Sequence, residues 1–175
     1  VAGCSEAGGP GVRRQDPMPV VDVQVKNLTR DGDLYVGGEP TRQGLQTLRA
    51  AGVRTIVDLR PMRQKSEDEG AMARDLGMEY IELPMASNAL TDEQAETFLK
   101  SMRGRRRGDV LLHCSDGIRA AAMYGVYLGA EEGYPPDEAL RRARKAGLAN
   151  EQLAEQVRRQ IESRKQTRVR PPSPQ

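Results

Sequence analysis

The segment VLLHCSDGIR, residues 110–119, holds the residues of this sequence that are best suited to do chemistry together. An apolar run leads into His113 and Cys114, and Arg119 follows five positions after the cysteine. A thiolate is a strong nucleophile, and an arginine can hold two oxygens of one oxyanion in a single plane. The pair indicates covalent catalysis on a phosphoryl or sulfur group. The alternative is that Cys114 is a buried structural residue that only ends a strand.

The flanking residues predict a strand, a short loop and a helix around this cysteine. The apolar run 109–114 reads as a strand, and the alanine-rich run 118–133 reads as a buried helix. Several backbone N–H groups then converge with the positive end of the helix, which makes an anion-binding cradle. The same field favours a thiolate over a thiol. We expect His113 to hold the loop in place through a hydrogen bond, without acting as a general base.

The elements that must position this loop alternate in type along residues 20–165. Strand-like runs such as 53–59 alternate with helix-like runs of ten to fifteen residues such as 40–52. This order predicts βαβ units in a mostly parallel sheet with helices on both faces. Ligands bind at the carboxyl ends of strands in such sheets, and Cys114 follows directly after one. The alternating segment 21–25, VDVQV, predicts a further, half-buried strand.

Two polar ends flank this domain. Residues 1–19 are predicted to be a disordered tether, and residues 166–175 a disordered tail whose prolines oppose a helix. The first four residues, 1–4, look like a bacterial lipobox, in which the cysteine, here Cys4, is lipidated. This motif predicts a lipid-anchored protein of the bacterial cell envelope or periplasm. A chance match of four small residues, with a cytoplasmic location, is the alternative.

The composition of the 175 residues excludes several function classes. The chain has 27 basic and 25 acidic residues, a net charge of +2, no Trp and one Phe, which argues against a nucleic-acid partner. A single histidine excludes any site that needs two. Two cysteines cannot form a disulfide scaffold or a four-cysteine zinc site. We therefore expect no metal and no organic cofactor.

At residues 34–40, 44–45, 48, 51–53, 56–60 and 112–119 the sequence resembles the cysteine-phosphatase superfamily. It is most similar to the phosphatase-like domain named after beta-lactamase hydrolase-like proteins, over roughly residues 30–165. The resemblance implies an α/β fold of the dual-specificity-phosphatase type: a central, mostly parallel sheet flanked by helices, with a C-terminal helical cluster.

The same resemblance implies a function and roles for the loop residues. The protein would hydrolyse phosphate monoesters, on a protein or a small molecule, through a thiophosphoryl intermediate. Cys114 would be the nucleophile and Arg119 the oxyanion ligand. Gly117 would make the tight turn, and the N–H groups of the loop would come from Ser115, Asp116 and Ile118.

The loop departs from the pattern of the well-known phosphatases. Their arginine stands six residues after the cysteine instead of five, and a hydroxyl residue follows it where this chain has Ala120. The expected acid loop, residues 84–92, contains no carboxyl group before Asp92. The candidates for the general acid, in order, are Asp116, Asp92 and Asp58.

These departures keep two other readings open. A rhodanese-like sulfurtransferase also uses a six-residue loop, carries a persulfide on its cysteine and needs no acid. A non-catalytic domain that binds an anion or a partner protein is the third reading.

Overall fold

A computed structural model describes residues 15–32, 34–65, 68–105 and 109–169. The strands are β1 (Met18–Pro19), β2 (Thr29–Asp31), β3 (Leu34–Gly37), β4 (Thr55–Asp58), β5 (Glu79–Glu82) and β6 (Val110–His113). The α-helices are α1 (Arg42–Ala50), α2 (Glu69–Asp75), α3 (Asp92–Met102), α4 (Ile118–Ala130), α5 (Pro136–Lys145) and α6 (Glu151–Val169). A short 3-10 helix, Met62–Gln64, follows β4.

The described strands form one mixed sheet in the order β1-β2-β3-β6-β4-β5. The pairs β3/β6, β6/β4 and β4/β5 are parallel, whereas β1/β2 and β2/β3 are antiparallel. The prediction of a central, mostly parallel sheet flanked by helices is therefore confirmed. Because β6 lies between two parallel neighbours, the residue after it emerges at the centre of the carboxyl edge.

Hydrophobic cores cover both faces of the sheet, and β6 contributes to each. Val110 and Leu112 pack with α3, α4, α5 and α6 on one face. Leu111 packs on the other face, where α1 supplies Leu45 and Leu48. A strand buried on both faces reads as a continuous apolar run and not as an alternating one. This explains why the segment before Cys114 is so strongly apolar.

The cluster formed by α4, α5 and α6 depends on small residues in α4. Every residue of α4 after Ile118 is buried, and Gly129 faces Ile161 of α6, where an added Cβ would meet three side-chain carbons at 2.4–2.6 Å. Glycine at this position therefore lets the two helices approach closely. None of the described helices is both long enough and apolar enough to cross a bilayer.

The prediction of a strand over residues 21–25 is wrong. Asp22 has φ 63°, a left-handed conformation that breaks an extended strand, and only Val25 makes a bridge, to Pro40. The chain pairs instead through β1 and β2. Hydrophobic alternation is present here because Val23 and Val25 reach the core from a bent segment.

Some predicted boundaries also differ from the structure. Residues 15–19, placed in the tether, are tied to α5: Asp16 pairs with Arg141 at 2.5 Å, and the Gln15 carbonyl accepts from Arg142 at 2.7 Å. At the other end, α6 continues to Val169. The predicted lipidation site Cys4 lies outside the described residues.

We expect Gly129→Ala to destabilise the protein by about 1–3 kcal/mol, because the methyl group overpacks the contact with Ile161. Urea unfolding measures this loss. In a double-mutant cycle, Ile161→Ala should cost less in the Gly129→Ala background than alone, since it removes the clashing carbons. Strictly additive losses would contradict this packing argument.

Candidate active site

The loop after β6 is held by hydrogen bonds that pull its carbonyl groups outward. The Glu39 amide donates to the Ser115 carbonyl at 3.2 Å, and the Asn27 side chain donates to the Asp116 carbonyl at 2.9 Å. The Cys114 amide donates to the Gly37 carbonyl at 3.2 Å. With two carbonyl groups fixed on the outside, the loop can turn N–H groups toward its centre.

Two glycines allow this loop to lie against the end of β3. Gly117 has φ 101°, in the left-handed region that a side chain would strain. A Cβ on Gly38 would lie 3.0 Å from the Ser115 carbonyl oxygen and 2.9 Å from the Lys26 Cβ. Both positions therefore require glycine for conformational or steric reasons. Gly117 thus occupies the tight-turn position that the sequence predicts.

The Cys114 sulfur lies at the start of α4, among polar groups of the loop. The Gly117 amide donates to Sγ at 3.2 Å, and Asp116 Oδ1 lies 3.5 Å from Sγ. The first amide of α4 and its dipole favour negative charge on the sulfur, whereas an ionised Asp116 opposes it. Cys114 is fully buried in this arrangement. A substrate can therefore contact Sγ only after neighbouring groups move.

Asp116 occupies part of the cradle itself. Its Oδ1 accepts from the Ile118 amide at 3.0 Å, so the carboxylate takes a loop donor that a bound oxyanion would need. The side chain is nevertheless exposed and can turn outward to solvent. Asp116 therefore acts as an internal anion when no other anion is bound.

Arg119 is buried, and its guanidinium faces the same loop. Nη1 donates to the Met85 carbonyl at 3.0 Å and approaches the Leu59 carbonyl at 3.5 Å. Nη2 donates to Gln64 Oε1 at 2.7 Å and to Ser115 Oγ at 3.1 Å. The structure thus brings Arg119 to the loop, as the resemblance implies for an oxyanion ligand.

A cluster of buried charges lies beside the loop, around Arg60. This arginine donates to Asp58 at 3.0 and 3.1 Å, to Glu39 at 2.6 Å and to Glu69 at 2.6 Å. The Tyr80 hydroxyl donates to Asp58 at 2.5 Å. Burial opposes the charge of Arg60, but these carboxylates raise its pKa above the usual value. The cluster therefore connects three parts of the fold: the segment after β3, the end of β4 and the start of α2.

His113 connects this cluster to the cysteine. Its Nε2 lies 2.7 Å from Glu69 Oε1 and 3.8 Å from Asp58 Oδ1. The atoms His113 Nε2 and Glu69 Oε1 are not aligned for a hydrogen bond, and each lacks another such partner among the described residues. Its Nδ1 lies 3.4 Å from the Cys114 carbonyl oxygen. His113 thus reaches the loop backbone, the contact that the sequence analysis expects of it.

The structure separates the three candidate acids. Burial would raise the pKa of Asp58, but Arg60, His113 and Tyr80 lower it to about 2, so this carboxyl has no proton to donate near neutral pH. Asp92 lies in the first turn of α3 and accepts a hydrogen bond from Gln160 of α6. Only Asp116 lies next to the sulfur.

Asp58, Glu69 and His113 place their ligand atoms within 4.8 Å of one another. Arg60 already pairs with both carboxylates, and Lys65 lies 3.4 Å from Asp58. A divalent cation would face these two positive charges. The three residues therefore suit an ion-pair cluster better than a metal site.

Sequence reasoning missed two residues at this site, Gln64 and Glu69. Glu69 is buried at the start of α2, next to His113. A carboxylate in the glycine- and alanine-rich segment 69–73 was the available signal, because such a helix packs closely on its neighbours. Gln64 follows an irregular segment after β4, and no pattern in the sequence singles it out.

A buried cysteine at the start of a helix, an arginine in the first turn of that helix and a mixed sheet between helical layers are features of the cysteine-dependent, dual-specificity-like phosphatases. A family model for DSP-PTPase phosphatases fused to NAD+ kinase matches residues 19–168. The chain belongs to this family. The resemblance found in the sequence is thereby confirmed.

Individual proteins agree with this assignment. The beta-lactamase hydrolase-like protein of Xylella fastidiosa (strain Temecula1) is 26% identical over 114 residues, which are 62% of this chain and 25% of that protein. The chain spans a quarter of that relative's length.

Two solved structures share the fold. A DUF442 protein of Shewanella putrefaciens CN-32 superposes with a TM-score of 0.68 at 25% identity, over 79% of this chain and 93% of its own. TpbA of P. aeruginosa, solved with phosphotyrosine, gives a TM-score of 0.71 at 21% identity, over 91% and 100%.

The lowered pKa of Asp58 predicts a loss of stability in acid. The ionised carboxylate stabilises the fold above its unfolded pKa, and this contribution disappears as the pH falls toward the folded value of about 2. A shift from the usual 3.8 corresponds to about 2 kcal/mol. Urea unfolding between pH 5 and about 2 should therefore show a steeper loss in the wild type than in Asp58→Asn. Parallel pH profiles would contradict the assignment.

Proposed function

We propose that the protein hydrolyses phosphate monoesters through a thiophosphoryl intermediate on Cys114. The observation that carries this proposal is the Gly117 amide at 3.2 Å from Sγ, at the start of the helix whose first turn contains Arg119. This environment favours a nucleophilic thiolate and offers an oxyanion both backbone N–H groups and a guanidinium. The phosphotyrosine bound by TpbA supports a phosphate monoester, on a protein or a small molecule, as the substrate.

In the first step the Cys114 thiolate attacks phosphorus. The S–P bond forms while the bond from phosphorus to the leaving oxygen breaks, and the loop N–H groups and Arg119 hold the phosphoryl oxygens. In the second step water attacks the same phosphorus, the S–P bond breaks, and inorganic phosphate leaves with the thiolate restored. The Gly117 N–H stabilises the thiolate as the sulfur leaves phosphorus. Ala120 has no hydroxyl that could do this.

Asp116 supplies the proton for the leaving oxygen in this proposal. Cys114 Sγ donates to Asp116 Oδ1 at 3.5 Å, so the carboxylate takes the thiol proton as the nucleophilic thiolate forms. The exposed Asp116 side chain then turns toward the bound ester and donates this proton to the leaving oxygen. In the second step its carboxylate accepts a proton from the attacking water. Asp58 and Asp92 are held by Arg60 and Gln160 and cannot substitute for it.

The sulfurtransferase reading predicts a different reaction at the same cysteine. The phosphatase family match over residues 19–168 favours phosphate release. The two readings separate in paired assays, one for phosphate released from para-nitrophenyl phosphate and one for thiocyanate formed from thiosulfate and cyanide.

We expect Cys114→Ser to abolish phosphate release and leave the thermal unfolding cooperative, because a hydroxyl is a far weaker nucleophile on this loop. Arg119→Lys should lose most of kcat/KM, about a hundredfold, because an ammonium cannot hold two oxygens in one plane. Arg159→Lys on α6 is the matched control. Undiminished phosphate release by Cys114→Ser would remove the covalent mechanism.

Asp116→Asn tests the proposed acid with two leaving groups. KM should fall for both aryl phosphates, because the free enzyme no longer carries a carboxylate that competes with the substrate for the Ile118 amide. The kcat for phenyl phosphate, a poor leaving group, should fall about tenfold or more relative to that for para-nitrophenyl phosphate. An equal effect on both kcat values would show that Asp116 is not the acid. A rise in KM would show that its charge does not oppose the substrate.

A further inference from the structure

The two terminal nitrogens of Arg119 have different kinds of partner. Nη1 is bound by the backbone carbonyls of Met85 and Leu59, at 3.0 and 3.5 Å. Nη2 is bound by side-chain oxygens of Gln64 and Ser115, at 2.7 and 3.1 Å. Backbone oxygens are fixed by the fold, whereas side-chain oxygens can turn away. Nη2 is therefore the end of the guanidinium that an oxyanion can take over.

The Gln64 amide oxygen lies where a donor of α4, Arg119, and a donor of the loop, Ser115, meet. It accepts from Arg119 Nη2 at 2.7 Å and from the Ser115 hydroxyl at 3.3 Å. A phosphoryl oxygen could accept hydrogen bonds from the same two groups. The other half of the amide, Nε2, has no hydrogen-bond partner among the described residues. Gln64 thus brings an unused pair of N–H donors to the edge of the cradle.

The backbone at Gln64 is held while its amide group can rotate. The Gln64 amide nitrogen donates to the Pro61 carbonyl at 2.8 Å within the 3-10 helix. The next residue, Lys65, is ion-paired with Asp58 at 3.4 Å and with Glu82. Rotation about the last side-chain torsion, which has a broad energy profile, exchanges Oε1 for Nε2 without moving the chain.

We propose that Gln64 is a substrate-binding residue whose side-chain amide rotates by half a turn when an oxyanion binds. Nε2 then donates to a phosphoryl oxygen, together with Arg119 Nη2 and Ser115 Oγ. This inference rests on the proposed phosphatase function. Before binding, the amide oxygen keeps Arg119 aimed at the loop. After binding, the amide N–H replaces a loop donor that the short Cys-x4-Arg cradle lacks compared with a longer one.

The test measures inorganic phosphate binding by calorimetry in the full chain. Gln64→Met keeps the length of the side chain and removes the N–H donors, so we expect about tenfold weaker binding or more, the value of a hydrogen bond to a charged group. Gln166→Met, an exposed position on α6, should bind phosphate like the wild type. Unfolding curves of the two variants verify that both are folded.

A second readout separates contact from a purely structural role. The side-chain NH2 resonance that disappears from the ¹⁵N spectrum of Gln64→Met belongs to Gln64, and in the wild type it should shift on phosphate addition with the calorimetric Kd. Tighter binding by Gln64→Met would show that the amide only competes with the anion. Unchanged binding, or a resonance that does not shift, would also overturn the inference. Wild-type protein that binds no phosphate would overturn the proposed function as well.

Discussion

The buried ion cluster around Arg60 is the interaction on which the site depends. One guanidinium joins Glu39 after β3, Asp58 at the end of β4 and Glu69 at the start of α2. These residues contact the cysteine loop or the end of β6 before it: the Glu39 amide donates to the Ser115 carbonyl, and Glu69 and Asp58 lie 2.7 and 3.8 Å from His113 Nε2. Removing one partner of such a buried pair leaves an uncompensated charge, at a cost of about 3–5 kcal/mol. The cluster thus fixes the carboxyl edge of the sheet before any substrate arrives.

Two buried arginines at this edge have opposite tasks. Arg60 is ion-paired with three carboxylates, so its charge is neutralised within the fold. Among the described residues, the hydrogen-bond partners of Arg119 are neutral oxygens, from backbone carbonyls and from the side chains of Gln64 and Ser115. No carboxylate of the described residues pairs with it, so its positive charge can attract an oxyanion to the loop. Arg60 thus stabilises the structure around the site, whereas the charge of Arg119 is available to a ligand.

Sequence patterns predicted the parts of this arrangement that depend on local chemistry. The apolar run before Cys114, the turn at Gly117 and the helix that follows are local features, and the structure contains each of them. The segment 21–25 misled because its alternating residues reach the core from a bent chain with φ 63° at Asp22.

Long-range pairing was beyond such patterns. The contacts of Glu69 with His113 and of Gln64 with Arg119 join residues that are distant in the chain. These contacts form because β4 pairs with β6 in the sheet. The protein's own polar groups also occupy donors that an anion would use, Asp116 on the Ile118 amide and Gln64 on Arg119. The most direct test of the account is mass spectrometry of the Cys114 peptide after acid quench of the reaction with para-nitrophenyl phosphate. We predict one phosphoryl group on Cys114 early in turnover. An unmodified Cys114 while phosphate continues to be released would contradict the account.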